Sequence, residues 1–585
     1  MGKASAARVG CCPEPLAARY AQAVSDKLQA SKEFLMNVAE LVGKTLADLG
    51  IGHAFGVVGS GNFAVTNALI EYGVPYTQAR HEGGAATMAD AYSRTSGKVG
   101  VVSVHQGCGL TNAATGIGEA AKSRTPLLVL AAEAAPSAVY SNFAMDQDAF
   151  ATSVYAVSER VHSAQSAVAD TVRAYRTAIN DRRTVVLNLP LNIQVLPAPE
   201  TTQEIEVIPR EPVRPSRDSI RALAVLIENA SRPVFVAGRG GRGAKEEIRS
   251  LARHTGALVA TSAVAKGLFN EDEFNLGISG GFSSPLAAEL ISDADLIVGF
   301  GCALNMWTMR HGHLIGARTK VVQVDLDEPA LGANRPIDLG VVGDSAECAR
   351  DVLELLRREK VSACVGYRTP EISKRLTERI HWQQVEFEDL STESAIDPRT
   401  LSKALDELLP ERRVVSVDSG NFMGYPSQYL SVPDEHGFCF TQAFQSIGLG
   451  LYTAIGAGLA RPDRLPVLGT GDGGFHMAIA ELDTAVRLKM PLVCIVYNDA
   501  AYGAEVHHFA ESGQTPDMSS VVFPDTDFAA LGRGFGASGI TVRTVQDLQE
   551  VKRWLDSDPS GPLVIDAKIA SDGGAWWLAE AFKGH

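Results

Sequence analysis

Basic residues are in short supply. The chain of 585 residues has 53 Lys and Arg against 68 Asp and Glu, a formal charge of −15. A field of that sign argues against binding nucleic acid and leaves anionic small ligands to be held locally, by a metal ion or by backbone N–H groups. Cysteine is also sparse. There are eight, Cys11 and Cys12 are adjacent, and no C-x-x-C pair occurs. That pattern argues against a disulfide framework and fits reduced thiols in a cytoplasmic setting. No apolar run approaches the ~18 residues that span a membrane, so no membrane association is expected. The N-terminal stretch lacks the apolar core of a signal peptide, and residues 1–31 read as a frayed or lightly docked extension. Tandem repeats and low-complexity tracts are lacking too.

What is present is alternation. "HAFGVV", "VGVVSVHQG", "TPLLVLAAE" and "RTVVLNLP" read as buried strands separated by helix-period segments. "RPVFVAGRG", "ALVATSA", "ADLIVGFG" and "TKVVQVDLD" repeat the pattern, as do "RRVVSVDSG", "LPVLGTGDG", "MPLVCIVYND" and "GPLVIDAKI". Fully apolar strands alternating with helices mean parallel sheets covered on both faces. Twelve such strands exceed one ordinary sheet and suggest three. A Pro-rich, charged stretch at 190–219 and a change of character at 357–376 divide the chain into α/β domains at 32–195, 213–360 and 380–570.

The segment "GDGGFHMAIAELDTAVRLKMPLVCIVYND" (471–499) places Asp472 after one strand and Asp499 at the end of the next. In doubly wound sheets ligands sit beyond the C-terminal strand ends, so both carboxylates project from one edge. With a main-chain carbonyl they form a hard-oxygen set suited to Mg²⁺. The glycines of GDGG let backbone N–H groups approach phosphate oxygens at the start of the following helix. A bare GDG is more simply a helix-capping turn; the pair at this spacing favours a metal bound to a diphosphate.

GDG followed, one helix and one strand later, by N-D resembles the metal–diphosphate motif of thiamine-diphosphate enzymes. The likeness runs from about 32 to 570 and points to the acetohydroxyacid (acetolactate) synthase, pyruvate oxidase and benzoylformate decarboxylase superfamily. It implies three doubly wound parallel-sheet domains: pyrimidine-binding, central and diphosphate-binding. The metal ligands would fall on Asp472, Asp499 and the main-chain oxygen of Ala501. Gly471, Gly473, Gly474, Tyr502 and Gly503 would surround the diphosphate, with Gly420, Asn421 and Phe422 of "VDSGNFMGY". In "FTQAFQSIGLG", Ile447 would prop the cofactor into its bent form, and the Gln445 carbonyl would take the 4′-amino group. Glu82 of "RHEGGAATMADAYSR" resembles the cofactor-activating glutamate. Such a carboxyl, hydrogen-bonded to a pyrimidine nitrogen, favours the imino tautomer that removes the thiazolium proton. Alone, Glu82 would read as a helix N-terminal charge. In the family this glutamate serves the partner subunit's site, which implies a homodimer or a dimer of dimers (a homotetramer) with inter-subunit active sites.

Three positions bear on the reaction. Ser60 in "VVGSGNF" matches a position where benzoylformate decarboxylase-like enzymes carry an active-site serine. His105 in "VSVHQGCGLTN" matches one where some decarboxylases have a histidine and the synthases a non-basic residue. Glu505 falls where pyruvate decarboxylase-like enzymes have a catalytic glutamate. Histidine is the usual proton shuttle near neutral pH, and a desolvated glutamate can serve as an acid there. Structural readings stand beside these: a satisfied strand-end histidine, and a solvated helix charge. "PVFVAGRGGRG" (233–243) is a weak dinucleotide fingerprint. "GCALNMWTMRHG" lacks the paired acids of the synthases' flavin motif, which puts FAD in doubt. Trp307 and Met306 read as core residues or as part of the substrate entrance. The expected activity is decarboxylation of a 2-oxo acid, followed by protonation or carboligation. A simple decarboxylase or C–C lyase is the alternative, and a catalytically silent homologue is disfavoured because Glu82, Asp472 and Asp499 are all present.

Overall fold

The computed structural model describes residues 36–200, 210–510, 517–575 and 578. The expected N-terminal extension, with Cys11 and Cys12, lies outside the described residues. The chain forms three six-stranded sheets in which every strand pair is parallel. The first holds β1 (His53–Gly56), β2 (Tyr76–Gln78), β3 (Gly100–Val104), β4 (Leu127–Glu133), β5 (Val157–Arg160) and β6 (Thr184–Pro190) in the order β2-β1-β3-β4-β6-β5. The second holds β7 (Pro233–Ala237), β8 (Leu258–Thr261), β9 (Asn275–Ile278), β10 (Leu296–Phe300), β11 (Lys320–Asp325) and β12 (Leu339–Val342), ordered β12-β11-β10-β7-β8-β9. The third holds β13 (Arg413–Val417), β14 (Phe438–Phe440), β15 (Leu465–Gly471), β16 (Val493–Asn498), β17 (Ser538–Val542) and β18 (Leu563–Lys568), ordered β14-β13-β15-β16-β18-β17.

The first and third sheets therefore share one strand permutation, whereas the middle sheet has the 3-2-1-4-5-6 order of a dinucleotide fold. In each outer sheet the strand order reverses beside the first strand, between β1 and β3 and between β13 and β15. A crevice opens at such a switch point, at the carboxyl ends of the strands.

Five helices position the groups discussed below: α1 (Glu82–Ser96), α2 (Ala114–Lys122), α3 (Gly450–Ala460), α4 (Asp472–Ala478) and α5 (Gly503–Ala510). The ring of His81, at the N-cap of α1, accepts the Gly83 N–H, and α1 ends at Gly97 in a left-handed cap (φ 75°). Both α1 and α3 are rich in Gly and Ala, so their backbones approach closely; a Cβ at Gly456 would collide with the Met88 carbonyl. Around this crossing the first and third domains share one hydrophobic core, in which Phe55, Met88 and Ile117 join Leu451, Ile455 and Phe475. After the middle sheet the chain stays docked on it. Tyr367 donates its hydroxyl to Leu290 O, and Ile372 and Leu376 enter the same core as Leu290. Among the described residues no helix is long and apolar enough to cross a membrane.

Candidate active site

The acidic turns lie where the third sheet opens. β15 ends at Gly471, and Asp472 begins α4; β16 ends at Asn498, so Asp499 leaves the same edge one strand over. The loop after Asp499 is braced from below. The Asn498 carboxamide donates to Asp566 Oδ1 (2.9 Å) and accepts the Ala500 N–H (3.1 Å). Ala500 itself is left-handed at φ 56°, a conformation costly enough for a non-glycine residue that the surroundings must enforce it. Ala501 pairs antiparallel with Val522, through Tyr502 N–H to Val521 O and Phe523 N–H to Ala500 O. In that pairing the N–H and C=O of Ala501 point away from the partner segment. The N–H reaches the Asp472 and Asp499 carboxylates, so the carbonyl faces the same side.

Burial pushes the Asp472 carboxyl up to about 6, opposed by N–H donors including those of Gly473 and Ala501. Burial, and then the charge of Asp472, push Asp499 up to about 7. Lys568, whose charge reaches Asp472, is already paired with Asp566 (3.0 Å). Two adjacent buried carboxylates without a dedicated counter-charge are costly unless a cation joins them. Glycines shape the space around them. A Cβ at Gly503 would strike Asp499 Oδ2, one at Gly473 the Tyr502 ring, and one at Gly471 would lie 3.0 Å from the Phe422 ring. Phe422 is held by stacking on Tyr497, 5.6 Å between centroids. These groups line a cavity of about 1540 Å³, which also takes in Gly420, Asn421, Gly474, Gln445, Ile447 and Glu505. Gln445 is left-handed at φ 58°. The cavity extends to Met306 and Trp307 and to the glycine turn at Gly238 and Gly240 of the middle domain.

Ser60, Glu82 and His105 do not line this cavity; they gather at the switch point of the first sheet. Ser60 follows β1, Glu82 opens α1 after β2, and His105 follows β3. The His105 ring is oriented by its own loop. Nδ1 lies 3.1 Å from Gln106 O, and since a carbonyl can only accept, Nδ1 carries the proton. Nε2 is then free to accept from the Ser60 hydroxyl at 3.4 Å. A Cβ at Gly59 would collide with the imidazole, and one at Gly109 would sit 3.1 Å from His105 Cβ and 3.5 Å from Glu82 Oε1. Gly109 thus lets Glu82 and His105 share one small space. Phe143 stands edge-on to His105 at 4.9 Å.

Two supporting groups had no sequence signal of their own. Asn112 donates to Glu82 Oε2 (3.0 Å); nothing in "GLTN" says which carboxylate it meets. Asp418 accepts the Ser419 and Gly448 N–H groups (2.8 and 3.0 Å) and the Thr470 hydroxyl (3.1 Å), and burial lifts it to about 6. It lies under the GDG turn, where a Cβ on Gly474 would meet its Oδ2. Its place at a strand end in "VDSGNF" does not single it out from the residues that follow.

Comparison with known proteins settles the family. The N-terminal TPP-binding domain of thiamine pyrophosphate enzymes matches residues 36–153, their central domain 220–353, and their C-terminal TPP-binding domain 418–567. The chain belongs to the thiamine pyrophosphate enzymes. Within the family it is similar to the acetolactate synthase of Bacillus subtilis, 28% identical over 91% of this chain and 93% of that protein. It is also 27% identical to a sulfoacetaldehyde acetyltransferase of Roseovarius nubinhibens, covering 94% and 95% of the two chains. A Pseudomonas aeruginosa protein named a probable 2-ketoarginine decarboxylase is 29% identical, covering 90% and 93%. The first and third sheets, with one strand order, are the two TPP-binding domains of this thiamine pyrophosphate enzyme.

Proposed function

We propose that the chain is a thiamine diphosphate- and Mg²⁺-dependent enzyme that decarboxylates a 2-oxo acid, acetolactate synthase-like, and either protonates the product or joins it to a second carbonyl compound. The observation that carries this reading is the Asp472–Asp499–Ala501 constellation in its glycine cradle, within the C-terminal TPP-binding domain. The donor set fits the cofactor. Two carboxylates and a carbonyl suit Mg²⁺, and the start of α4, with room left by Gly473 and Gly474, suits the diphosphate oxygens. Gln445 and Ile447 line the same cavity, where they would receive the 4′-amino group and shape the cofactor. When bound, thiamine diphosphate supplies the electron sink for the electron pair left on the substrate carbon when CO₂ departs.

The chain's own residues supply binding and proton transfer. Glu82, steadied by Asn112, would hold a proton toward the pyrimidine ring. His105, with its proton fixed on Nδ1, presents Nε2 as a base, and Ser60 orders that nitrogen when substrate is absent. Glu505, at the start of α5 and on the cavity wall, is the acid for the product carbon. Two titratable groups favour protonation as a competent outcome beside ligation. That Glu82 and His105 stand at a different edge from Asp472 supports a site completed by a second copy of the chain, in a homodimer or dimer of dimers, which we place in the cytoplasm. Flavin has no part in this reading.

The test is mass spectrometry of products from a panel of 2-oxo acids, with and without an aldehyde acceptor. His105→Ala and Glu505→Gln are each expected to slow turnover by roughly 10²- to 10⁴-fold. Glu505→Gln is expected to raise the ratio of ligated product to simple aldehyde. Wild-type rates and ratios in both variants would make the two residues structural and place the chain with plain synthases.

A further inference from the structure

The loop 441–448, which carries Gln445 and Ile447, is stapled at both ends by buried carboxylates from different domains. At its far end Asp418 of the third domain accepts the Gly448 N–H. At its near end the partner is Glu119, on α2 of the first domain, fully buried. Glu119 Oε1 accepts the Ala443 N–H (2.9 Å), and Oε2 accepts the Phe444 N–H (2.6 Å). Arg94 of α1 neutralises the carboxylate at 2.8 Å and is itself held by Asp90 at 2.5 Å and by Phe440 O at 3.0 Å. Gly118 gives room for the Phe444 ring, which a Cβ there would approach to 2.8 Å. Between the staples the backbone takes two left-handed positions, Gln445 (φ 58°) and Gly448 (φ 86°). A non-glycine residue persists there only when its surroundings over-determine it.

We infer that Glu119 is a positioning residue for the cofactor loop. Its two charge-assisted bonds hold Ala443 and Phe444 so that Gln445 turns left-handed and presents its carbonyl and Ile447 to the cavity. The first domain would thereby act on two sites, lending Glu82 to one and setting the loop of its own chain's site through Glu119. This inference rests on the proposed roles of Gln445 and Ile447.

Three variants separate loop positioning from stability. Glu119→Gln keeps the shape but can accept at only one atom. Glu119→Asp keeps the charge for Arg94 but retreats by one methylene, so that it cannot reach both N–H groups. Asp90→Asn weakens the Arg94 pair while leaving both Glu119 bonds in place. Each protein is examined by thermal melting, by hydrogen exchange of the Ala443 and Phe444 amides, and by calorimetry of thiamine diphosphate binding with Mg²⁺. The expected result is that both Glu119 variants exchange these amides at least tenfold faster and bind the cofactor about tenfold or more weakly. Asp90→Asn should melt earlier with exchange and affinity near wild type. Should Glu119→Gln fail to fold, Glu119→Asp decides the matter. Wild-type exchange and affinity in a folded Glu119 variant, or equal losses in Asp90→Asn, would overturn the inference. Absence of cofactor binding by the wild-type protein would instead count against the proposed function, and the exchange arm would still decide whether Glu119 holds the loop.

Discussion

One methyl group probes the cradle. At Gly503 a Cβ would collide with Asp499 Oδ2, whereas at Gly561 it would meet nothing within 4 Å. Gly503→Ala is therefore expected to lower cofactor and Mg²⁺ affinity at least tenfold, an overpacking cost of about 1–3 kcal/mol. Gly561→Ala should bind as wild type, and calorimetry of both checks this. A second residue sets a pH dependence. His53 is buried at the start of β1, hydrogen-bonded through Nε2 to Thr77 Oγ1 (2.8 Å) and stacked on Phe55 (4.6 Å); burial lowers its imidazole to about 4. Above its ordinary value of 6.5 the ring is neutral in both states and folding carries no protonation penalty. As pH falls, the unfolded chain takes up a proton that the folded chain refuses, and stability is lost down to about pH 4. Between pH 7 and pH 5 the wild type should lose about 2 kcal/mol more than His53→Gln, by denaturant unfolding at each pH. At this scale the sequence made Asp472 and Asp499 legible because their partners lie one helix and one strand apart. Glu119 was hidden because the N–H groups it holds are 324 and 325 positions away, and no local pattern encodes such a distance.

Among the elements, twelve strands were readable from apolar runs and six were not. The six are β2, β5, β9, β12, β14 and β17, and they are the two edges of each sheet. An edge strand has a neighbour on one side only and is partly wetted, as in β5, where every residue is half-buried, and β17, where only Val542 is buried. "VSER" and "SGITV" therefore never form the continuous apolar run that marks an interior parallel strand. Helices α1 and α3 pose the reverse case: their Gly and Ala content permits close packing but names no partner. Their crossing now predicts that Gly456→Val, which drives a side chain into the Met88 carbonyl, destabilises the fold by about 1–3 kcal/mol. Denaturant unfolding reads this directly, and the loss should appear as a change in midpoint for the first and third domains together, since they share one core.

For the whole molecule, the two outer sheets repeat one topology, and each carries half of a candidate site at its switch point. One half bears Asp472 and Asp499, the other Glu82 and His105, and the cavity of a single chain contains only the first half with Gln445, Ile447 and Glu505. The three-sheet division was legible because strand and helix runs alternate along the chain. How the two halves would be brought together was not legible in the residues themselves, since contact between copies leaves no periodicity in a sequence; only the family resemblance implied it. If a site is completed between two copies, Glu82→Gln and Asp472→Ala are each inactive alone, yet a hybrid dimer carries one site with both residues intact. The decisive measurement is turnover after mixing the two purified variants under conditions where native mass spectrometry shows subunit exchange. Recovery of roughly a quarter of wild-type activity is expected for random pairing in a two-fold dimer. No recovery with exchange complete would mean that each site is built within one chain, and would contradict the inter-subunit site.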